Sequence, residues 1–463
     1  MLTIAAIEAL LSDTASRGHA FSELFVEDKA ERELNYEKQA LAGAQTMHSR
    51  GAGLRLIRDH HVIYTYTNDV SEPGLKQLAD QALALLQIVG SATPSDQAVT
   101  LQEIHGKAGS NPMQRELAEI GNRRKLDVLR EIDAAVRSAG VPLLSHGVTY
   151  YETDQRVWIA NSEGTLAKDR RVNTRARLHY TVGDTEGALY EWADFIQPAG
   201  LDTWQSEEYI AFFQNQLKKA YETLRAEPLK PGRMPVVLAA GSCGVLWHEC
   251  CGHTLEAAAI ASGHSDFIGK RDTVVASPKV TIVDDGTLPG LYGSSCFDDE
   301  GKLRQRNVLI EKGVLKGYLC DRVHGRQIGL ESNGCGRRQD YTFAPTSRMS
   351  NTYLAPGCDD EEEMIRSLGE GLLVTQLGGG SGGPIFSLAC SRAYLIKNGQ
   401  IDRPVKNCML TGRGIDVMKK IDRVGANIKT EYGSFCGASS GLVPTTAFQP
   451  QVRISEMIIG GEA

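Results

Sequence analysis

The side chains best suited to chemistry lie in one short segment, His248-Glu249-Cys250-Cys251-Gly252-His253. A neutral imidazole donates one nitrogen to Zn²⁺, and a carboxylate beside the first histidine can act on a water molecule that the ion activates. The segment therefore predicts a metal site for hydrolysis. His248 and His253 would be ligands, and Glu249 would be the general base.

The spacing of the two histidines constrains the backbone that carries them. In the common HExxH arrangement the histidines are four residues apart and lie one above the other on a helix. Here they are five residues apart, which places them about 140° from each other on a regular helix. A π-type turn, or a helix broken at Gly252, would bring the rings together, and such turns often mark functional sites.

Two imidazoles need at least one more protein ligand, and the spacing leaves its identity open. The candidates are Cys250, Cys251, Glu256, His264 and any distant cysteine. All ten cysteines lie after residue 240, and none forms a CxxC pair of the kind found in redox sites and zinc knuckles. Most are expected to be reduced, buried thiols that pack like small hydrophobic residues.

The metal-binding segment is predicted to lie in a helix that follows a buried strand. Residues 234–240 are typical of such a strand, and Ser242 can cap a helix over 243–261. Farther on, a glycine tract at 378–383 precedes a strand that starts at Ile385. The tract lacks the ending of a phosphate-binding loop, so we interpret it as backbone that another chain approaches closely, as when a peptide adds a strand.

The first part of the chain predicts a mixture of helices and strands. The predicted helices are 2–11, a helix that Ser71-Glu72-Pro73 opens and whose apolar face runs from Leu75 to Val89, 113–139 and 206–226. The predicted strands are 21–26, 53–68, 156–160 and 172–182. A linker with proline and glycine at 227–232 is predicted to separate an N-terminal α+β domain (1–226) from a mainly β domain (233–463). The fold class is therefore α+β. The N-terminal domain combines an antiparallel sheet with helices, and the C-terminal domain has one early helix, which carries the metal ligands.

The overall composition excludes several classes of protein. With 41% hydrophobic residues the chain can bury a core, which argues against disorder. Its 50 Lys and Arg against 57 Asp and Glu give a formal net charge of −7, which disfavours a nucleic-acid binder. No run reaches the roughly 18 apolar residues of a membrane helix, and the first residues do not form a signal peptide. We expect a cytoplasmic protein that binds neither nucleic acid nor membrane.

The metal-binding segment and a series of further blocks resemble the TldD/PmbA family of metallopeptidases, on the catalytic TldD side. The blocks follow the family's order over nearly all of 233–463, and a weaker match is centred on 157–164. They are 248–253, 283–287, 298–301, 307–311, 334–341, 348–353, 378–380, 393–396, 435–437 and 460–461. Family members usually carry small or apolar residues at the positions of Cys250 and Cys251. These two thiols are therefore buried fillers, oxidisable neighbours or competing metal ligands.

The resemblance implies one Zn²⁺ per catalytic subunit, held by His248, His253 and Cys436, with Glu249 as the general base. Three protein ligands leave a fourth position for water. It also implies cleavage of short or unfolded peptides, either to remove leader peptides from ribosomally made natural products or to clear small proteins. Because family members work as dimers, we expect a homodimer or a heterodimer with a PmbA-like subunit.

Five further residues are candidates for binding the substrate: Arg337, Arg338, Tyr341, Gly379 and Gly380. The two arginines are adjacent, so in a strand they would point to opposite faces, and one of them could stabilise an oxyanion or hold a substrate carboxylate.

Two alternatives to an active peptidase remain open. A non-catalytic partner subunit is consistent with the family's older naming as modulators of DNA gyrase, but it should have lost the His–Glu–His–Cys set. A structural zinc site would close the fourth coordination position with another protein ligand such as Cys250 or Cys251.

Overall fold

The computed structural model describes residues 3–18, 20–59, 61–88, 90, 98–106, 116–430 and 433–461. Helices and predominantly antiparallel sheets occur together in it, so the predicted α+β class is confirmed. Within these ranges, no helix has the length and apolar character needed to cross a bilayer.

The first part of the chain builds one seven-stranded sheet with helices packed on it. Its strands are β1 (Phe21–Glu37), β2 (Ala40–Arg58), β3 (His61–Thr67), β4 (Gln102–Ile104), β5 (Leu143–Asn161), β6 (Thr165–Asp184) and β7 (Gly187–Gln197). Its helices are α1 (Ile4–Gly18), α2 (Glu72–Ile88), α3 (Asn122–Arg137) and α4 (Ser206–Arg225). The strand order is β3–β2–β1–β5–β6–β4, and β7 also pairs with β6.

Two apolar clusters attach the helices to this sheet. Helices α1 and α2 bury residues such as Leu11 and Leu78 against Leu54 of β2. Helices α3 and α4 bury residues such as Leu129 and Phe213 against β5, β6 and β7. Apolar residues recur three or four positions apart on each of these helices, so one stripe of each helix faces the sheet.

Several predicted boundaries in this part were wrong. The single strand predicted over 53–68 is two strands, because the chain turns at Asp59, whose φ is +53°. The strand predicted over 21–26 continues to Glu37. The helix predicted over 113–139 begins only at Asn122, after a short 3₁₀ turn. Five predicted helical residues, Leu2, Val89, Met113, Gln114 and Arg115, lie outside the described residues.

The second part contains many short strands and several short helices. Its strands are β8 (Glu227–Pro228), β9 (Gly232–Leu238), β10 (Ile282–Asp285), β11 (Arg306–Glu311), β12 (Val314–Leu315), β13 (Gly336–Arg337), β14 (Thr346–Ser347), β15 (Asn351–Leu354), β16 (Glu370–Ser381), β17 (Ile385–Lys397), β18 (Gln400–Lys406), β19 (Cys408–Arg413), β20 (Ile421–Val424), β21 (Ser434–Ala438), β22 (Gly441–Phe448) and β23 (Val452–Gly461). Its helices are α5 (Val245–Trp247), α6 (Ala257–Ala261), α7 (Arg322–Gln327), α8 (Glu361–Arg366) and α9 (Gly414–Lys419). The prediction of a single early helix was therefore wrong, although the mainly β character is confirmed.

Two sheets of the second part support the metal-binding segment. In the first, β16, β9, β23, β19 and β17 pair in that order, and β17 pairs back onto β16, so five strands close into a ring. The predicted buried strand at 234–240 is β9 of this ring. In the second sheet the order is β12–β11–β10–β15–β22–β21, which leaves β21 at an edge.

A buried group of charges joins the two parts of the chain. Arg55 Nη2 lies 2.5 Å from Glu23 Oε2 and 2.7 Å from Glu300 Oε1. Arg338 Nη2 lies 2.6 Å from Glu23 Oε1. All four side chains are inaccessible or nearly so, and their opposite charges compensate one another across the junction.

The segment predicted as a linker is held by the second part. Residues Glu227–Pro228 form β8, which runs parallel to Val405 and Lys406 of β18. The division of the chain into 1–226 and 233–463 stays a prediction.

Candidate metal centre

The segment after β9 changes helical type several times. A 3₁₀ turn at Ser242–Gly244 leads into α5, which is followed by a π-helical turn at His248–Gly252 and a second 3₁₀ turn at His253–Leu255. The continuous helix predicted over 243–261 was therefore wrong. Of the two distortions predicted from the histidine spacing, a π-type turn or a break at Gly252, the π-type turn is confirmed.

The π turn brings the two histidine rings together. The ring centroids of His248 and His253 lie 4.9 Å apart, and the ring planes are nearly perpendicular, at 88°. Gly252 permits this arrangement because the chain is closely packed there: a β-carbon on Gly252 would lie 1.9 Å from Met349 Sδ. The glycine before the second histidine is therefore explained by packing.

Cys436 approaches the same point from β21, the edge strand of the second sheet. It is the buried residue of a strand whose other residues are exposed, so its side chain points inward. Its Sγ lies 3.3 Å from His253 Nε2, and the ligand atoms of His248, His253 and Cys436 all lie within 4.8 Å of one another. A tetrahedral zinc ion needs ligand atoms about 3.4–3.6 Å apart, so small adjustments would suffice.

The chemical nature of the donors suits zinc. Two imidazole nitrogens and one thiolate form a set that prefers Zn²⁺ over hard ions such as Mg²⁺ or Ca²⁺. In the described part of the chain the cluster comprises these three donors and no fourth. The set thus fits a zinc site that keeps one coordination position open.

The electrostatics of the cluster favour a deprotonated sulfur. Burial would raise the pKa of the Cys436 thiol, but the neighbouring imidazoles of His248 and His253 outweigh it and lower that pKa to about 4. Burial would lower the pKa of His253, but Glu256 and then Cys436 raise it to about 11. A cation that binds here would meet a thiolate and displace the proton of the imidazole.

Glu249 lies on the same π turn, beneath the tip of the β16–β17 hairpin. Its backbone carbonyl accepts a hydrogen bond of 3.2 Å from Gly383 N. A β-carbon on Gly382 would lie 2.2 Å from Glu249 Oε2 and 3.0 Å from its backbone oxygen. The glycine tract is therefore approached closely by the turn of this same chain that carries Glu249, and its approach by a peptide stays a prediction.

The two predicted glycines of this tract lie farther along the hairpin. Gly379 and Gly380 are exposed or nearly so at the end of β16. A β-carbon on Gly379 would meet no described atom within 4 Å, whereas one on Gly380 would clash with the backbone of Ser387. Both glycines stay predicted substrate-binding residues, and their exposure is consistent with that role.

Arg337 is linked to the metal-binding segment through Met349. Its Nη1 donates a hydrogen bond of 2.6 Å to the carbonyl of Met349, the residue that packs on Gly252. Burial, and then the charge of Arg304, lower the pKa of Arg337 to about 9. The side chain is thus a buried support near the site, and substrate contact stays a prediction for it.

Arg338 and Tyr341 face the first sheet instead. Arg338 belongs to the buried charges at the junction, and its guanidinium lies 4.4 Å from the centroid of the Phe25 ring. Tyr341 packs against Gly51 of β2 and meets the Tyr66 ring edge-on. The structure does not bring these two residues to the metal cluster. The burial of Arg338 and the packing of the half-buried Tyr341 on the first sheet favour structural roles.

The other candidate ligands do not join the cluster. Cys250 and Cys251 are buried in the core of the second part, and burial raises the pKa of both thiols. His264 is exposed and contacts Ser262. Glu256 contacts the outer nitrogen of His253. The positions of Cys250 and Cys251 favour the interpretation that they are buried fillers.

Two residues that contact predicted site residues were not singled out from the sequence. Gly382 is part of the tract that the sequence singled out, but nothing marked it above the other glycines. Arg348 donates a hydrogen bond from Nη2 to the carbonyl of Cys436, yet these residues are 88 positions apart and no motif links them.

Comparison with known proteins gives matches over most of the chain. Residues 22–86, 115–214 and 231–461 match sequence models described as PmbA/TldA metallopeptidase domain 1, central domain and C-terminal domain. The metalloprotease TldD homolog of Haemophilus influenzae is 33% identical over 429 residues, which is 89% of this chain and 87% of that protein. A zinc metalloprotease TldD homolog of Saccharolobus solfataricus is 25% identical over 383 residues, which is 78% of this chain and 84% of that protein.

A solved structure shares the fold. TldE from Thermococcus kodakarensis superposes with a TM-score of 0.75 over 98% of this chain and 100% of that chain, at 18% sequence identity.

Proposed function

The chain belongs to the TldD/PmbA family of metallopeptidases, and from this premise we propose that it hydrolyses peptide bonds with a zinc ion held by His248, His253 and Cys436 and with Glu249 as the general base. One observation carries the proposal. The three donors come from two distant elements and meet next to Glu249, which lies on the same π turn as His248. Zinc is supported by the donor set and by a relative named as a zinc metalloprotease.

The proposed reaction uses the chain's own residues for proton transfer. When bound, zinc supplies Lewis-acid activation of water and of the scissile carbonyl. Glu249 takes the proton from the attacking water and passes it to the leaving amine. The contact with Gly382 and the hydrogen bond from Gly383 hold the turn that carries Glu249, so the carboxylate is positioned before a substrate arrives.

We propose that the substrate is a short or unfolded peptide in an extended conformation. Cys436 lies on edge strand β21, which pairs with β22 on one side and with no other strand in the described part of the chain. An extended peptide can add to such an edge through main-chain hydrogen bonds, whereas most main-chain groups of a folded protein are already paired within it. Removal of leader peptides and clearance of small proteins both fit this substrate class.

We propose that the protein works as a dimer in the cytoplasm. A homodimer and a heterodimer with a PmbA-like subunit are the two assemblies that family resemblance implies. All ten cysteines are free thiols, which is consistent with a reducing compartment. One zinc ion per catalytic subunit follows from the single three-donor cluster found among the described residues.

The decisive experiment combines metal analysis with a peptide-library digest of the wild type and Glu249→Ala. We expect about one zinc per chain in both proteins, cleavage by the wild type, and a loss of at least about 100-fold in kcat for the variant, because general-base catalysis contributes that much. Zinc-loaded wild type that cuts no peptide, alone or with a PmbA-like subunit, would refute the proposal.

The alternative is a non-catalytic subunit with a structural zinc. It predicts four protein ligands around the ion, which X-ray absorption would report as a closed set of nitrogen and sulfur neighbours. The intact His–Glu–His–Cys set and the burial of Cys250 and Cys251 in the core favour the peptidase.

A further inference from the structure

Glu256 stands at a break in the metal-binding segment. The 3₁₀ turn His253–Leu255 ends just before it and α6 begins just after it, while Glu256 itself is extended, with φ −67° and ψ 132°. The neighbouring backbone is fixed on both sides: Leu319 N donates to Leu255 O at 2.9 Å, and Ala257 N donates to Leu319 O at 2.8 Å. The position of the Glu256 carboxylate is therefore set by the fold.

The carboxylate faces the outer nitrogen of His253. Glu256 Oε2 lies 3.4 Å from His253 Nδ1, and the other ring nitrogen, Nε2, faces Cys436 Sγ. A proton on Nδ1 that is shared with Glu256 leaves the lone pair of Nε2 for a metal ion. Such a carboxylate also fixes the orientation of the ring and strengthens the imidazole as a ligand.

A single arginine connects this carboxylate to the other ligand-bearing element. Arg348 is fully buried, and its Nη2 donates to the carbonyl of Cys436. Its Nη1 donates to Ser440 Oγ at 2.9 Å and to Gly441 O at 2.8 Å. These contacts hold β21 and the turn that follows it.

The remaining nitrogen of this arginine points at Glu256. Arg348 Nε lies 4.0 Å from Glu256 Oε1, and among the described residues neither atom has a hydrogen-bond partner. The guanidinium thus faces the carboxylate beside His253 while it bonds the backbone of Cys436. Arg348 therefore contacts both the carboxylate beside His253 and the backbone of Cys436, although these two proposed ligands come from different elements.

We propose that Glu256 is a positioning residue that holds His253 in the tautomer with Nε2 directed at the metal, and that Arg348 couples Glu256 to the strand that carries Cys436. The inference rests on the proposed metal site. In this role Glu256 does not bind the ion itself, although the sequence spacing had left it among the candidate ligands.

Metal binding gives a direct test that does not depend on catalysis. Zinc affinity is measured by competition with a chromophoric chelator for the wild type, Glu256→Gln and Arg348→Lys. The absorption of the cobalt-substituted proteins is recorded in parallel. We expect Glu256→Gln to bind zinc about 10–100-fold more weakly, the range typical for loss of a residue that orients a metal-bound histidine. Its cobalt ligand-field bands should shift while the thiolate-to-cobalt charge-transfer band remains, and Arg348→Lys should weaken zinc binding in the same direction.

A matched control separates positioning from general destabilisation. Asp133 Oδ1 lies 2.8 Å from His146 Nε2 in the first part of the chain, so it forms a similar buried carboxylate–imidazole pair. Asp133→Asn is expected to lower the melting temperature and to leave zinc affinity and the cobalt spectrum unchanged. If Glu256→Gln binds zinc within twofold of the wild type and shows the same cobalt spectrum, the positioning role is refuted.

A measurement on the wild type covers the case in which Glu256→Gln does not fold. Histidine-selective ¹⁵N labelling of the zinc-loaded protein reports which nitrogen of His253 is protonated and which is bound to metal. The proposal requires a protonated Nδ1 and a metal-bound Nε2, and the opposite assignment would overturn it. These results are independent of peptide cleavage, so failure of the proposed peptidase function and failure of this inference are distinguishable.

Discussion

Gly382 lies against Glu249, so close that a β-carbon on the glycine would stand 2.2 Å from Glu249 Oε2. Any larger residue at this position must displace the carboxylate or move the hairpin. We expect Gly382→Ala to lower kcat by about 10–100-fold, since a displacement near 1 Å of a catalytic group has effects of this size.

The zinc content of Gly382→Ala should equal that of the wild type, because Gly382 contacts none of the three predicted ligands. Gly369→Ala is the matched control, since a β-carbon there meets no described atom within 4 Å and the turnover should stay within twofold of the wild type. Peptide hydrolysis is measured under saturating substrate. Normal turnover by Gly382→Ala would show that the hairpin does not position the base.

Removal of the proposed thiolate ligand, Cys436, should release the metal. Cys436→Ala is expected to weaken zinc binding more than about 100-fold, because loss of a residue that merely orients a ligand already weakens it 10–100-fold. Cys390→Ala is the control, since Cys390 is also a buried free thiol in the same core but lies outside the metal cluster. Unchanged zinc occupancy and affinity in Cys436→Ala would refute its assignment as a ligand.

The lowered pKa of Cys436 should be visible in its chemistry after zinc is removed with a chelator. Because the neighbouring imidazoles hold that pKa near 4, the thiolate persists as the pH falls from 8 to 5 and disappears below about 4. Alkylation of Cys436 by iodoacetamide should therefore keep its rate down to about pH 5, as followed by peptide mass spectrometry. A rate that falls tenfold per pH unit below pH 8 would contradict this expectation. Added zinc should protect the thiol from alkylation.

The buried charges at the junction should matter for stability. Arg338→Met leaves Glu23 buried with one cation fewer and is expected to lower the free energy of unfolding by about 3–5 kcal/mol. Arg366→Met is the control, because its ion pairs are exposed and such pairs contribute only about 0–1 kcal/mol. Urea unfolding measures both. Equal stability of the two variants would show that the junction does not depend on this arginine.

The same Arg338 variant bears on the predicted substrate role. A residue that binds substrate would raise KM at a temperature where the variant remains folded, whereas a purely structural residue would leave KM unchanged. The burial of Arg338 leads us to expect an unchanged KM.

The metal-binding turn was predictable because its chemistry is local. Two histidines five residues apart can share an ion only on a distorted helix, so the spacing predicted either a π-type turn or a break at Gly252, and the structure has the π turn. Cys436 was different, because it is 183 positions from His253 and one of ten cysteines. Only family resemblance singled it out, and no periodicity would have.

Other features were missed because their causes are long-range. The outer half of β2 is exposed along most of its length, so it lacks the alternation by which strands are recognised in a sequence. Arg337 and Arg338 were predicted to bind substrate, yet both are buried, because acidic or carbonyl partners reach them from distant segments. A sequence shows the charge of such residues but not their partners.

The closed ring of strands has a consequence for the order in which the protein can be made. β9 leads directly into the metal-binding turn, but its partner β23 begins only at Val452. At translation rates of roughly 5–20 residues per second, β23 emerges about 10–40 s after β9. During that interval the ring is open and Cys436 has yet to be placed on its strand. The proposed zinc site should therefore be complete only after nearly the whole chain has left the ribosome, so that a nascent chain would carry no working peptidase site.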